Sequence, residues 1–509
     1  MSDLPDLEKG IARDTIADGT AVAGSYRGSR VLLVRRGDSI TALSGDCTHL
    51  GAPLETGIIT ADEVRCPWHH ARFSADSGAV TGGPAAAPLG CFTVAEADGM
   101  VRVTGRAGKT TGHPAQQPID RVVVIGTGAA GYALALHLAQ AGQGGRVTMV
   151  THEDAAPYDR TYLSKQYLSG AKGRDDCFLP EPGGDGLPNV AIRTGTRIVA
   201  IDRDARTVHT EGGDEIDYDV LVLATGATPM LPEFAGKDGE KVFVLRSIAD
   251  ADRLTKAAQE AERAVVLGGS FIGLEVAASL RQRGLSVDVI DKGAIPLEPV
   301  LGEDVGRFVR KLHEEEGVTF HPERQVAAYD GTSVTLDDGT MIEADLLVVG
   351  AGVSPAVDVA REAGLALDAD DDGVRVDGHF VTSDPAIRAI GDVANYPDPR
   401  LGRNIRVEHW VLAQRHGEHL AQLLLGYSDA PFTETPFFWS GHFGTQLRYI
   451  GHAQKPDPVR REGAVDDGEF ALFFGQGGDG DQAEAMVSCG RDQETLNIEE
   501  RWNRVARAG

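Results

Sequence analysis

The chain is 509 residues long, with 49 Lys and Arg against 76 Asp and Glu, a formal net charge of −27. At roughly 100–200 residues per domain this length suggests about three to five domains. A composition of 42% apolar and 25% charged residues excludes a disordered chain, and the acidic balance argues against nucleic-acid and membrane-surface partners.

Five scattered cysteines in so long a chain are no disulfide framework. The start, MSDLPDLEKG, lacks a basic region followed by an apolar one. The stretch Val122 to Ala139 is weakly polar, but its glycines and His137 read as strand, tight turn and helix, not as a membrane span. A soluble, cytoplasmic protein is expected.

Residues 1–106 alternate short apolar runs (Val31–Val34, Val64–Cys66, Phe92–Val94, Met100–Val103) with Gly, Pro and Asp turns, which predicts a small all-β module. Cys47-Thr48-His49 and Cys66-Pro67-Trp68-His69 each offer a thiolate and an imidazole on a turn-flanked loop. Two such loops suit a zinc ion or an iron–sulfur centre, although the spacings usual for zinc are absent. The C-x-H and C-x-x-H pairing resembles the Rieske family, which implies a [2Fe-2S] cluster with Cys47 and Cys66 on one iron and His49 and His69 on the other. Rieske proteins of respiratory complexes carry a further Cys on each loop, where this chain has Ala52 and Trp68. A Ser that donates to a cluster sulfide there is matched by Ala71. The module therefore looks like an oxygenase-type Rieske ferredoxin, with fewer bonds to sulfur and a lower potential. His70 stands where many relatives have Gly and is read as a residue behind the ligands or on the surface. Cys91 is read as a buried core residue.

Residues 107–118, rich in Gly, Thr, Gln and Pro, read as a linker. Beyond it Arg121–Ile125 is a β-branched strand running into Gly126-Thr127-Gly128-Ala129-Ala130-Gly131 and a helix beginning near Tyr132. Glycines there let backbone N–H groups approach a pyrophosphate at a helix N-terminus. Glu153, after the strand Val147–Val150, is the candidate ribose acid. The design recurs about 140 residues later, with the strand Ala264–Leu267 running into Gly268-Gly269-Ser270-Phe271-Ile272-Gly273. Here Ser270 replaces the middle glycine at some steric cost. Asp291, ending the strand Ser286–Ile290, would accept from a ribose 2′-OH and repel a 2′-phosphate, so NADH is preferred to NADPH. Strands alternating with helices imply doubly wound parallel sheets. From about Pro431 short strands return (Phe437–Ser440, Leu447–Gly451, Phe470–Phe474, Met486–Cys489), which suggests a closing α+β domain.

The segment Pro157-Tyr158-Asp159-Arg160-Thr161-Tyr162-Leu163-Ser164-Lys165, with Ala224-Thr225-Gly226 and Ala389-Ile390-Gly391-Asp392, resembles flavin-dependent ferredoxin reductases. That resemblance implies FAD on the first loop, with Arg160 and Lys165 at the flavin and Asp392 on its ribityl chain. It places Glu275 beside Lys165 near the nicotinamide, the alternative being an ordinary helix-surface carboxylate. Arg406-Val407-Glu408-His409-Trp410 resembles the family segment along the isoalloxazine, so Trp410 is expected against the ring. Phe438 and Trp439 either shield it or are plain core. Gly126, Gly128, Ala129, Gly131, Gly268, Ser270, Ile272, Gly273 and Gly352 complete the expected nucleotide contacts.

Two motifs mislead. Asp368–Gly373 imitates the start of a calcium loop, but its twelfth position would be His379 and its flanks look like hairpin strands. The segment around Ser164 has no Cys and the chain no closely spaced Cys pair, which disfavours thiol–disulfide chemistry at the flavin.

The expected architecture is multidomain. A small all-β Rieske domain (1–106) and a linker (107–118) precede a Rossmann-like FAD-binding domain (119–240 and 354–430). An NAD-binding domain (241–353) is inserted in that, and a C-terminal α+β interface-like domain (431–509) follows. As a whole the chain resembles apoptosis-inducing-factor-like proteins that carry an N-terminal Rieske domain. The expected activity is electron transfer from NADH through FAD to the fused cluster and on to a protein acceptor (oxygenase, cytochrome or ferredoxin), with room for a homodimer. The alternatives are a redox-sensing or signalling protein with slow NADH oxidation, and a reductase whose Rieske module only docks a partner.

Overall fold

The computed structural model describes residues 4–107, 115–180, 187–232, 241–475 and 482–508. Residues 108–114 of the expected linker lie outside the described residues. Gln116 and Gln117 beyond them bond the carbonyls of Leu425 and Leu424.

The first unit is an antiparallel six-stranded sheet in the order Ile11–Ala12, Met100–Arg106, Cys91–Ala97, Ser39–Ser44, Ser29–Arg36, Thr20–Tyr26. The run Val31–Val34 is buried throughout because the sheet has a core on each face. Val31 and Leu33 join Leu7, Ile16 and Phe92, while Leu32 and Val34 join Leu43, Cys47 and Cys66. A second sheet, Ile58–Ile59, Glu63–Arg65, Arg72–Ser74 and Val80–Gly82, projects from it. One Cys/His loop enters that sheet after Ser44, and the other joins its Glu63–Arg65 and Arg72–Ser74 strands.

Two parallel five-stranded sheets follow. The first has the order Ala191–Arg193, Val147–Val150, Val122–Ile125, Val220–Leu223, Ile387–Ala389. Its middle strand is an unbroken apolar run because helices or sheets cover both faces. The second has the order Val242–Phe243, Leu346–Val349, Arg263–Leu267, Ser286–Asp291, Val318–Pro322. It is inserted in the first through two crossing segments, Ala227–Pro229 and Val353–Pro355, which pair antiparallel. The helix after the first loop begins at Ala129, a turn earlier than the sequence suggests, and packs along the helix Trp410–Leu424. Gly417 permits that close crossing, since a Cβ there would lie 2.2 Å from the Ala130 carbonyl oxygen.

The last unit is an antiparallel sheet in the order Phe437–His442, Thr445–Gly451, Ala485–Cys489, Glu469–Phe474, Pro458–Ala464, covered by the helix Asp492–Ala508. Trp502, on that helix, is fully buried against the sheet. Among the described residues no helix is long and apolar enough to cross a membrane.

Candidate functional site

Both glycine loops sit at the C-terminal end of a central parallel strand and open a helix. Gly126 and Gly268 have φ of 115° and 109°, a region that favours glycine. Cβ atoms there would fall 2.1 Å from the Ala224 oxygen and 2.5 Å from the Gly350 oxygen, so each loop is pressed onto a neighbouring strand end. Ser270 is more than a tolerated replacement. Its Oγ accepts from the Gly273 N–H at 3.2 Å and donates to the Gly350 oxygen at 2.8 Å, capping the helix. Ile272 stands 45% exposed on the first turn of that helix, and Asp291 ends the adjacent strand beside Gly269. Gly352 lies where the second crossing segment leaves the inserted domain.

At the first loop the predicted residues form one connected group. Arg160 donates to Glu153 and to the Tyr158 hydroxyl, which itself donates to the other Glu153 oxygen. Arg160 also bonds the carbonyl of Arg246, whose guanidinium pairs with Asp392 at 3.2 Å beside Gly226. Arg406 bonds the Asp392 carbonyl and the Glu408 carboxylate. Arg246 was missed in the sequence, because a lone Arg before the capped helix Ile248–Glu260 carries no motif. Trp410 begins its helix half-buried, with its indole Nε1 buried and lacking a hydrogen-bond partner.

Lys165 and Glu275 come from different units, yet Lys165 Nζ lies 2.8 Å from Glu275 Oε2. Glu275 is 3% exposed, which rules out the surface-carboxylate reading. Ser164 Oγ donates to the same oxygen at 2.6 Å, and Ser440 Oγ donates to Oε1 at 2.8 Å. Three donors on one buried carboxylate fix its orientation.

Cys47, Cys66, His49 and His69 are all buried and converge from the two loops. The two cysteine thiols lie beside each other, and the two imidazoles face each other Nδ1 to Nδ1 at 3.2 Å. Among the described residues no three His, Cys, Asp or Glu side chains converge as for a single ion. The four divide into a Cys pair and a His pair, as a two-iron centre needs and a zinc site does not. Burial pushes His49 down to about 4 and holds His69 well below its usual range, so both are neutral and offer lone pairs. His49 Nε2 is buried without a partner. The residues therefore fit a Rieske cluster.

The imidazole pair faces the reductase. The Trp439 ring lies 4.4 Å from that of His69 and 6.0 Å from that of His49, so it covers the ligands. Asp159 approaches His49 Nε2 at 4.0 Å, and Arg448 donates to the Trp68 carbonyl at 3.1 Å. His70, expected behind the ligands or on the surface, is a docking residue. It accepts a φ of 60°, stacks on Phe437 at 3.8 Å and pairs with Glu499. Arg72 reaches Glu434 at 2.6 Å and Glu418 at 3.3 Å, Gly83 N–H donates to Glu418 at 2.6 Å, and Arg65 pairs with Glu500. Cys91 is half-buried against the module's core and donates to the Ser77 carbonyl. Cys177 is buried elsewhere, its thiol pushed up to about 11 by burial.

Comparison with known proteins agrees with this geometry. The family model described as pyridine nucleotide-disulphide oxidoreductase matches residues 120–417, and that of the Rieske [2Fe-2S] domain matches residues 10–93. The chain is 31% identical over 485 residues to apoptosis-inducing factor 3 of Homo sapiens, covering 91% of this chain and 78% of that protein. It is 37% identical to the ferredoxin--NAD(+) reductase component of the anthranilate 1,2-dioxygenase system of Burkholderia cepacia, covering 73% of this chain and 92% of that protein. The solved covalent putidaredoxin reductase–putidaredoxin complex matches with a TM-score of 0.70 at 32% identity, over 76% of this chain and 94% of that one. The cofactors are accordingly FAD, NAD(H) and a [2Fe-2S] cluster. The chain belongs to the pyridine nucleotide-disulphide oxidoreductase family, as an FAD-dependent oxidoreductase preceded by a Rieske [2Fe-2S] domain.

Proposed function

We propose that this protein is an NADH-dependent reductase that passes electrons from NADH through FAD to its own Rieske cluster, and on to an oxygenase, a cytochrome or a ferredoxin. The observation that carries this reading is the seating of His49 and His69 against Trp439 and Asp159, on the segment that also supplies Lys165. Bound FAD supplies the exchange between a two-electron hydride donor and a one-electron carrier. The protein's own part is placement and charge. The first loop and the N-terminus of the helix at Ala129 would hold the pyrophosphate of FAD, and Ala224, Thr225, Gly226 and Asp392 would contribute to the same site. The second loop holds the dinucleotide of NADH, and Asp291 selects against a 2′-phosphate. Lys165, fixed by Glu275, provides positive charge where reduction adds negative charge.

A second reading, slow NADH oxidation in a sensing role, is favoured by one observation. The cluster imidazoles are only 4–6% exposed, so an outside protein does not reach them in the docked form. The two readings separate under anaerobic NADH addition followed by electron paramagnetic resonance. The electron-transfer reading expects the reduced Rieske signal without any added carrier. Full flavin reduction beside a silent, oxidised cluster would overturn it.

A further inference from the structure

Glu275 Oε1 ends a line of buried polar groups that runs away from Lys165 into the C-terminal domain. Ser440 Oγ donates to it, His442 Nε2 lies 3.1 Å from that hydroxyl, and His442 Nδ1 lies 3.1 Å from His313 Nε2. Ser440 is 1% exposed, and His442 and His313 are fully buried. These groups come from the strand Phe437–His442 and the helix Glu298–Glu315, whereas Lys165 and Glu275 come from two other elements.

The proton positions along this line follow from counting donors. Ser440 has one hydroxyl proton and gives it to the carboxylate, so it must accept from His442 Nε2–H. His442 Nδ1 is then a bare acceptor and must receive His313 Nε2–H. His313 Nδ1 is left bare, and it is buried with no partner among rings of Phe320 and Phe443. Burial pushes His442 down to about 3 and His313 to about 2, so both stay neutral and the line keeps one direction. It ends in the interior and reaches no solvent, which makes it unfit as a proton exit and suited to holding an orientation.

We propose that His442, oriented by His313, is a positioning residue for the Lys165–Glu275 pair. It turns the Ser440 hydroxyl toward Glu275, so the C-terminal domain orients the carboxylate that holds Lys165. This rests on the reading of Lys165 as a flavin-side residue.

The test compares Ser440→Ala, His442→Phe and His442→Gln in FAD-loaded protein. The limiting rate of flavin bleaching by NADH, the NADH Kd and the melting temperature are measured for each. Ser440→Ala and His442→Phe each slow bleaching by about tenfold, as loss of one hydrogen bond to a charged group implies, with Kd unchanged. The double variant is no slower than either single one. Gln, whose amide N–H stands near the lost Nε2–H, restores the rate to within about twofold. 15N-histidine NMR of the wild type shows His442 protonated at Nε2 and bare at Nδ1.

Wild-type bleaching in folded His442→Phe, additive effects in the double variant, or the opposite tautomer would overturn the proposal. If His442→Phe fails to fold, Ser440→Ala and the tautomer decide. Lys165→Met keeps the two claims apart. If it bleaches normally, the flavin-side reading itself fails. If it is slow while the Ser440 and His442 variants are normal, only this inference fails.

Discussion

Arg72→Met tests how the two halves are held together. Arg72 is 7% exposed and joins the Rieske module to Glu418 and Glu434 of the reductase. Removing one partner of a buried ion pair costs about 3–5 kcal/mol. The lower end applies here, because Glu418 keeps the Gly83 N–H and Glu434 keeps Arg415 and Arg507. Undocking lets water reach both carboxylates, so the loss falls on the docking equilibrium and not on the reductase core. About 3 kcal/mol is roughly a 150-fold shift toward the open form. His70–Glu499 and Arg65–Glu500 remain as latches, so the expected slowing of cluster reduction is at least about tenfold. Flavin bleaching by NADH is unchanged. Adding Glu418→Gln recovers part of the loss, since no buried charge is then left unpaired there. An Arg72→Met protein that reduces its cluster at the wild-type rate and resists proteolysis between the modules as before would refute the reasoning.

Further outcomes follow from single sites. With Asp291 in its proposed role, Asp291→Asn narrows the expected preference for NADH over NADPH by about tenfold, read as the ratio of kcat/KM values; an unchanged ratio places any selectivity elsewhere. Ser270→Ala removes a helix cap, so the melting temperature falls by the equivalent of about 1 kcal/mol, whereas Ser270→Gly costs only a few tenths. Equal losses in the two variants would show that the cap contributes nothing. Acid weakens the fold through its desolvated histidines. His416 Nδ1 accepts the Gly391 N–H, and burial pushes His416 and His409 down to about 3 and His137 to about 4. Their unfolded counterparts titrate at about 6.5, so below that pH the unfolded chain binds more protons than the folded one. Stability contributed by these neutral rings is intact above about pH 6.5 and drains as pH falls toward 3, at up to about 1.4 kcal/mol per unit for each. Melting temperatures between pH 7.5 and 5 check this, and a flat profile would contradict it.

Much of the site is legible in the sequence because it is local. The Cys/His loops, the two strand–glycine–helix turns and the Lys165 segment each carry their chemistry within a few residues. Glu275 was reached only by family resemblance, since its helix alone does not say which face is buried. The docking surface left no local trace. His70 meets Glu499 and Arg72 meets Glu418 across more than half the chain, and charged residues read one at a time look like solvated surface. Trp439 shows the same limit: an aromatic beside the flavin and an aromatic over the cluster imidazoles have the same sequence signature. The line from His442 to His313 was invisible for a different reason. It joins a strand and a helix through side-chain tautomers, which no spacing encodes.

In the proposed function the cluster takes electrons from the flavin of its own chain. An anaerobic stopped-flow titration with NADH, following flavin bleaching and the Rieske absorbance together at several protein concentrations, tests it most directly. The flavin is expected to bleach first and the cluster to follow within turnover time, at a first-order rate independent of protein concentration. A reduced flavin beside a cluster that stays oxidised, or a cluster rate that rises in proportion to protein concentration, would contradict it.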